Sequence, residues 1–123
     1  MTNTQKRNFV RLDVMFSIEY YKIDDDILEP QIFKSTSRDI SGGGMRFHSM
    51  EIIQLNTELE MKLNLTSHNQ VSVCGKVVRC YPMETVPGYS IGVEFILLDK
   101  KDREKIIRFI FERQRELRQK GLL

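Results

Sequence analysis

The chain has no tryptophan, only three prolines and two cysteines among its 123 residues, and a formal net charge of only +2. So small a net charge excludes a protein that binds polyanions through charge alone. No apolar run approaches the ~18 residues that a membrane-spanning helix requires, so we expect no direct membrane insertion. Charged residues between Lys6 and Glu19 also occupy the stretch where a signal peptide would have its apolar core.

The two cysteines, Cys74 and Cys80, stand in one stretch rich in β-branched residues. Six residues of extended chain span ~20 Å, which is far beyond the reach of a disulfide. We therefore expect two reduced thiols and a cytoplasmic protein. Their even spacing predicts that both lie on the same face of a regular strand.

Apolar and polar residues alternate along most of the chain, which is typical of half-buried strands. The length accommodates one domain. Turn signals separate the alternating segments, and most of them have no helical pattern between them, which favours an antiparallel barrel or sandwich. We place the strands at residues 12–20, 31–40, 45–49, 58–65, 71–81 and 89–98.

The last part of the chain changes to a helical period. Asp99 is suited to cap the N-terminus of a helix, and Gly121 stands where such a helix would end. We expect this helix to pack against the barrel, although its thin, basic end could instead dock a partner or a second copy. The predicted apolar stripe consists of Ile106, Ile107, Ile110, Phe111 and Leu117.

Two short motifs contain the residues that could bind a ligand. Arg7 and Arg11 precede the first strand with a spacing of four, which places both side chains on one side of a helix or a strand. Asp39 and Ser41 are two apart, and therefore share a face of the second strand. Three glycines follow at 42–44, and they let the backbone approach a ligand closely.

These side chains complement a guanine nucleotide. A guanidinium can bind phosphate oxygens or the O6 and N7 edge of guanine. The Asp39 carboxylate can accept from the N1–H and the amino group on guanine's other edge, and the Ser41 hydroxyl can both donate and accept. A bare phosphate is a poor candidate, because the Asp39 carboxylate would repel it.

The sequence resembles the PilZ domain family, whose signature is RxxxR followed by [D/N]xSxxG. Residues 7–11 and 39–44 match the two parts of this signature, and residues 75–79 and 89–95 resemble the family's later strands. The resemblance covers nearly the whole chain, so we expect a stand-alone single-domain member. It implies a six-stranded antiparallel β-barrel at 12–98, a flexible N-terminal arm at 1–11 and a C-terminal α-helix at 99–121.

The resemblance also implies a function and roles for individual residues. The chain would be a bacterial, non-enzymatic receptor for the second messenger cyclic di-GMP, without a further cofactor or a metal. Arg7 and Arg11 would bind phosphates and guanine, Asp39 and Ser41 would recognise guanine, and Lys6 would influence whether one or two stacked ligands fit. The remaining implied site residues are Gly42 and Gly43, which shape the turn, Gly44, which keeps the surface open, and the flanking Arg79 and Tyr81.

Ligand binding is expected to order the arm and so change the interaction with a downstream protein, in a monomer or weak dimer. One alternative is a PilZ-fold adaptor whose nucleotide site is unused; another is a small RNA-binding barrel, although we expect no specific nucleic-acid partner. Three further basic residues could join the site, but charged residues on exposed strand positions usually only solvate a face, and we expect this of Lys34, Arg38 and Arg46. We expect Arg11→Ala or Asp39→Ala to weaken binding roughly tenfold or more and to leave thermal stability nearly unchanged.

Overall fold

Six strands and one helix form from the alternating segments and the helical segment. The computed structural model describes residues 10–24 and 28–122. The elements are β1 (Ser17–Lys22), β2 (Phe33–Ile40), β3 (Gly44–Ser49), β4 (Glu58–Thr66), β5 (Asn69–Pro82), β6 (Tyr89–Leu97) and α1 (Lys100–Gln119).

The strands close into an antiparallel barrel with the order β1-β2-β3-β6-β5-β4, in which β4 pairs back onto β1. Alternate residues of each strand point inward, since side chains on a strand alternate between its two faces. In β4, for example, Leu59, Met61 and Leu63 are buried while Lys62 between them is exposed. The predicted six-stranded barrel with a C-terminal helix is thereby confirmed.

Helix α1 begins after Asp99, whose side chain accepts a hydrogen bond from the Lys101 main-chain N at 2.9 Å. One face of the helix packs on the barrel through Ile106, Phe109 and Ile110, and the Phe109 ring meets Phe16 edge to face. No helix within residues 10–24 and 28–122 has both the length and the apolar character needed to cross a membrane.

The predicted stripe was wrong at one position. Phe111 is 50% exposed, and Phe109 is buried in its place. Each helical residue turns by about 100°, so Phe109 lies about 60° to one side of Ile106 and Ile110 about 40° to the other, and all three face the core. Phe111 lies about 140° from Ile106 and points away from the core.

The first strand starts later than the alternation predicted. Leu12 forms only an isolated bridge with Ile40, with hydrogen bonds of 2.9 and 3.0 Å, and the strand β1 begins at Ser17. Between them, the Ser37 hydroxyl accepts from the Phe16 main-chain N and donates to the Val14 carbonyl, so a side chain takes the place of part of the ladder. Leu12 and Phe16 are nevertheless buried, as their alternation requires. The bridge holds the neighbouring Arg11 beside the end of β2.

Two β-bulges change which way the outer residues of the barrel point. In β2 the register shifts between Ser37 and Asp39, and in β5 it shifts between Val77 and Arg79. A bulge sets two residues opposite one and locally redirects the side chains. These two shifts lie on the side of the barrel where the signature residues are.

The bulge in β5 also corrects the expected placement of the cysteines. Both are free thiols, as expected. Cys74 pairs with Glu60 and with the exposed Leu97, whereas Cys80 pairs with the fully buried Ile91. The extra residue in the bulge reverses the alternation, so the two cysteines face opposite sides of β5 rather than the same side.

Candidate functional site

A row of paired residues crosses four neighbouring strands on the outside of the barrel. Asp39 of β2 pairs with Arg46 of β3, Arg46 with Gly92 of β6, and Gly92 with Arg79 of β5. Residues paired across antiparallel strands have their side chains on the same face. This face is the outer one, because the residues on either side of Arg46 in β3 and of Gly92 in β6 point into the core.

Asp39 is the centre of a hydrogen-bonded cluster on this face. Its Oδ1 accepts from the Arg46 main-chain N at 3.0 Å, and its Oδ2 accepts from Arg46 Nε at 2.7 Å. Arg11 Nη1 donates to the same Oδ2 at 3.1 Å. The carboxylate is 0% exposed, whereas the side chains of Arg11 and Arg46 are 39% and 48% exposed.

A buried carboxylate is costly unless it is paired and its oxygens accept hydrogen bonds. Here two guanidinium groups and a main-chain N–H meet that requirement, and bonds between charged groups are the stronger kind. The two arginines cover Asp39 on its solvent side while their own charges remain in contact with water. Sequence positions 11 and 39 are thus brought together, as the motif analysis predicted.

Ser41 serves the turn that follows β2. Its main-chain N donates to the Gly44 carbonyl at 2.8 Å, and its hydroxyl accepts from the Gly43 main-chain N at 3.1 Å. The hydroxyl also lies 3.4 Å from the Gly44 carbonyl, and the residue is only 6% exposed. In this arrangement Ser41 shapes the glycine turn, and its hydroxyl is not displayed on the surface.

The glycine turn contacts both the barrel and the helix. The Gly43 carbonyl accepts from the Phe95 main-chain N at 2.9 Å, and the Gly42 carbonyl accepts from Arg103 Nε of α1 at 3.3 Å. A Cβ at Gly44 would lie 2.3 Å from the Val93 carbonyl oxygen, so the strands can approach this closely only with glycine. The turn is therefore fixed between β6 and the start of α1.

A groove of about 770 Å³ adjoins the cluster on the side of Arg46. The groove is lined by the segment 13–15, by the loop at 86–87 and by residues of β2 and β3, among them Arg38 and Arg46. His48 Nε2 lies 2.8 Å from the Pro87 carbonyl oxygen, and this contact holds the loop against β3. The polar part of the lining consists of Asp13, Thr36, Ser37, Arg38, Arg46 and His48, and the apolar part includes Met15, Met50 and Val86.

The other predicted site residues have distinct placements. Arg79 belongs to the row, and its side chain passes 3.2 Å from the position that a Cβ on Gly92 would occupy, so the missing side chain gives it room. Tyr81 is the next outward-facing residue of β5 and is 61% exposed. Lys6 and Arg7 lie outside the described residues. Among the residues described, no group of three His, Cys, Asp or Glu side chains is placed to hold a metal ion.

Arg46 is the residue that the motif analysis considered for the site and set aside. It was expected to solvate a strand face, yet it makes two of the three hydrogen bonds to Asp39 and lines the groove. Its position two residues after Gly44 puts it on the outer face of β3, which was visible from the alternation. Its partner was not visible, because the pairing of β2 with β3 across a bulge decides which residue faces it.

The fold is an antiparallel six-stranded barrel with a cluster of charged residues on its outer face, and the comparisons with known proteins identify its family. The family model for the PilZ domain matches residues 5–112, and the chain belongs to the PilZ domain family. A comparison with curated proteins gave no match.

Solved structures with the same fold support the assignment. They include MotI/DgrA, an inhibitor of motility from Bacillus subtilis, with 17% identity over 91% of this chain and 52% of that one, at a TM-score of 0.75. The PilZ domain of YcgR from Escherichia coli, solved with c-di-GMP, has 16% identity over 95% of this chain and 98% of that one, at 0.75. The c-di-GMP complex of MrkH from K. pneumonia has 14% identity over 93% of this chain and 55% of that one, also at a TM-score of 0.75.

These identities establish the shared fold only. The chain spans about half the length of MotI/DgrA and of MrkH, and nearly all of the YcgR domain.

Proposed function

We propose that this chain is a receptor for cyclic di-GMP and that the ligand binds on the outer face around Asp39. The observation that carries the proposal is the carboxylate held between Arg11 and Arg46 at the edge of the groove. Membership of the PilZ family supports it, as do two similar structures whose own ligand is c-di-GMP.

The chemistry of this face suits a cyclic dinucleotide with two phosphates and two guanines. Arg11, together with Arg7 of the preceding segment, would bind the phosphates, because guanidinium groups form paired bonds with phosphate oxygens. Lys6 would influence whether one or two stacked ligands fit. Arg79, at the end of the row, offers a cation, and Tyr81, two residues further along β5, offers an aromatic ring for stacking. A dinucleotide, unlike a bare anion, has both the negative charge for the arginines and the N–H groups for a carboxylate.

Asp39 is proposed to recognise guanine, with the turn at Ser41 and the glycines 42–44 shaping the approach. A carboxylate accepts from the N1–H and the amino group of guanine, whereas adenine offers an acceptor at N1. The site should therefore discriminate against adenine nucleotides. No bond of the ligand needs to break for this function, and we propose a non-catalytic receptor.

Ligand binding is proposed to change the interaction with a downstream protein, because the protein surface changes when Arg7 and Arg11 bind the ligand. The contact between Arg103 and Gly42 offers a second path, because it joins the glycine turn to α1. Near the site, an apolar groove of about 480 Å³ includes Ile52 and Leu55, which are 61% and 58% exposed. This apolar surface is suited to a protein partner. It equally fits the alternative of an adaptor whose nucleotide site is unused.

Calorimetric titration with cyclic di-GMP tests the proposal. The chain should release or absorb heat with saturable binding at micromolar ligand, and Arg11→Ala should weaken that binding roughly tenfold. Arg115→Ala is the matched control, because it removes an exposed arginine from α1, on the part of the helix far from Asp39 in sequence and in the fold. Absence of any binding by the unmodified chain would refute the receptor and leave the adaptor.

A further inference from the structure

The two arginines hold Asp39 in different ways. Arg46 engages both carboxylate oxygens, Oδ1 through its main-chain N and Oδ2 through Nε at 2.7 Å. Arg11 engages Oδ2 alone, at 3.1 Å. Two bonds from one residue fix the orientation of the carboxylate plane, and one bond to a single oxygen does not.

A count of acceptor sites shows what guanine would require of this cluster. The two oxygens of a carboxylate offer about four acceptor positions, two on each. Oδ2 already accepts from two guanidinium groups, whereas Oδ1 accepts from one main-chain N–H. Guanine presents two parallel donors, one for each oxygen, so one guanidinium must leave Oδ2.

Arg11 is the partner that can leave. Its departure breaks one bond and uncovers Asp39, and its guanidinium then becomes available to a phosphate. Departure of the Arg46 side chain would have to break the shortest bond of the cluster, and the carboxylate would then be held only by the main-chain bond to Oδ1 and the longer bond from Arg11 to Oδ2.

We propose that Arg46 is a positioning residue for guanine recognition: it keeps the Asp39 carboxylate oriented while Arg11 exchanges Asp39 for the ligand. This inference rests on the proposed function. It assigns different roles to two arginines that contact the same oxygen. Arg11 acts on the phosphates and affects all cyclic dinucleotides alike, whereas Arg46 acts through Asp39 and affects only the recognition of the base.

The test compares cyclic di-GMP with cyclic di-IMP, in which hypoxanthine replaces guanine and the amino group is absent. For the unmodified chain, loss of one hydrogen bond to a carboxylate should weaken binding roughly tenfold. In Arg46→Lys the loss of affinity from cyclic di-GMP to cyclic di-IMP should fall below about threefold. Lysine cannot hold Asp39 Oδ2 as the Arg46 Nε does, so the carboxylate is no longer oriented toward the amino group of guanine. In Arg11→Ala both ligands should weaken by the same factor.

Arg38→Lys is the matched control, because Arg38 is exposed at the same bulge and lines the same groove. Arg38→Lys should still bind cyclic di-IMP roughly tenfold more weakly than cyclic di-GMP. Thermal unfolding of each variant, with Arg46→Gln as a second substitution, separates loss of positioning from loss of the fold.

If folded Arg46→Lys weakens both ligands equally, Arg46 contacts phosphate and the inference is overturned; an unchanged affinity overturns it as well. If the unmodified chain binds neither ligand, the proposed function itself has failed.

Discussion

Replacement of Asp39 by alanine is the perturbation whose effect on stability can be worked out most fully. The sequence alone led us to expect little change in stability, because a ligand-binding carboxylate was expected on the surface. The structure changes that expectation, since Asp39 is 0% exposed and accepts three hydrogen bonds. We now expect Asp39→Ala to destabilise the folded chain.

The magnitude follows from the partners that would be left. The Arg46 main-chain N–H loses its acceptor, at a cost of about 1–3 kcal/mol for a buried donor. Each ion pair with a half-exposed arginine adds about 0.2–1 kcal/mol. Relief from burying the carboxylate offsets part of this sum. The net loss is about 2 kcal/mol, and for a domain of this size it corresponds to a fall in Tm of about 8 °C.

Thermal unfolding without nucleotide measures this difference, with Arg11→Ala as the internal comparison. Arg11→Ala removes one ion pair, whose arginine is partly exposed, and leaves the two bonds from Arg46, so its Tm should fall by no more than about 4 °C. Equal Tm values for Asp39→Ala and the unmodified chain would refute the reasoning, because they would show that the buried cluster contributes nothing to stability.

Three further outcomes are expected. Gly44→Ala should lower the urea midpoint by the equivalent of about 1–3 kcal/mol, since its Cβ would meet the Val93 carbonyl oxygen at 2.3 Å. Gly92→Ala should be milder, since its Cβ would lie 3.2 Å from the Arg79 Cβ, and a small shift relieves this contact. Raising NaCl from about 0.05 M to about 0.5 M should weaken cyclic di-GMP binding, and an affinity independent of salt would contradict the role of the arginines. Burial raises the pKa of the Cys74 thiol, and the neighbouring Glu60 and Glu58 raise it further. As the pH rises above about 9, the unfolded chain therefore loses this proton before the folded chain does, and the free energy of unfolding should fall. In Cys74→Ala this free energy should fall less steeply with pH.

The alternation of the sequence predicted the strands well because it records which face of each strand is buried. Leu59, Met61 and Leu63 illustrate this, since every second residue of β4 fills the core. Helix α1 was predicted for the same reason, from its period and from the cap at Asp99. Alternation does not record hydrogen bonding, so the buried Leu12 and Phe16 were assigned to a strand that begins only at Ser17.

The bulges account for most of what the sequence did not predict about the site. One extra residue between Val77 and Arg79 reverses the alternation in β5, and nothing in that stretch of β-branched residues indicates where it falls. The bulge next to Asp39 likewise decides that Arg46 is its partner. The signature residues could be recognised from their spacing, but the fact that two arginines cover the carboxylate depends on the register between strands.

The most direct test of the receptor function and of its location is a titration of the isotopically labelled chain with cyclic di-GMP, followed through its backbone amide resonances. The account predicts saturable shifts concentrated at Arg11, at residues 38–46 and at Gly92 and Arg79, with β1 and β4 largely unaffected. Shifts confined to β1 and β4, or no shifts at saturating ligand, would contradict it.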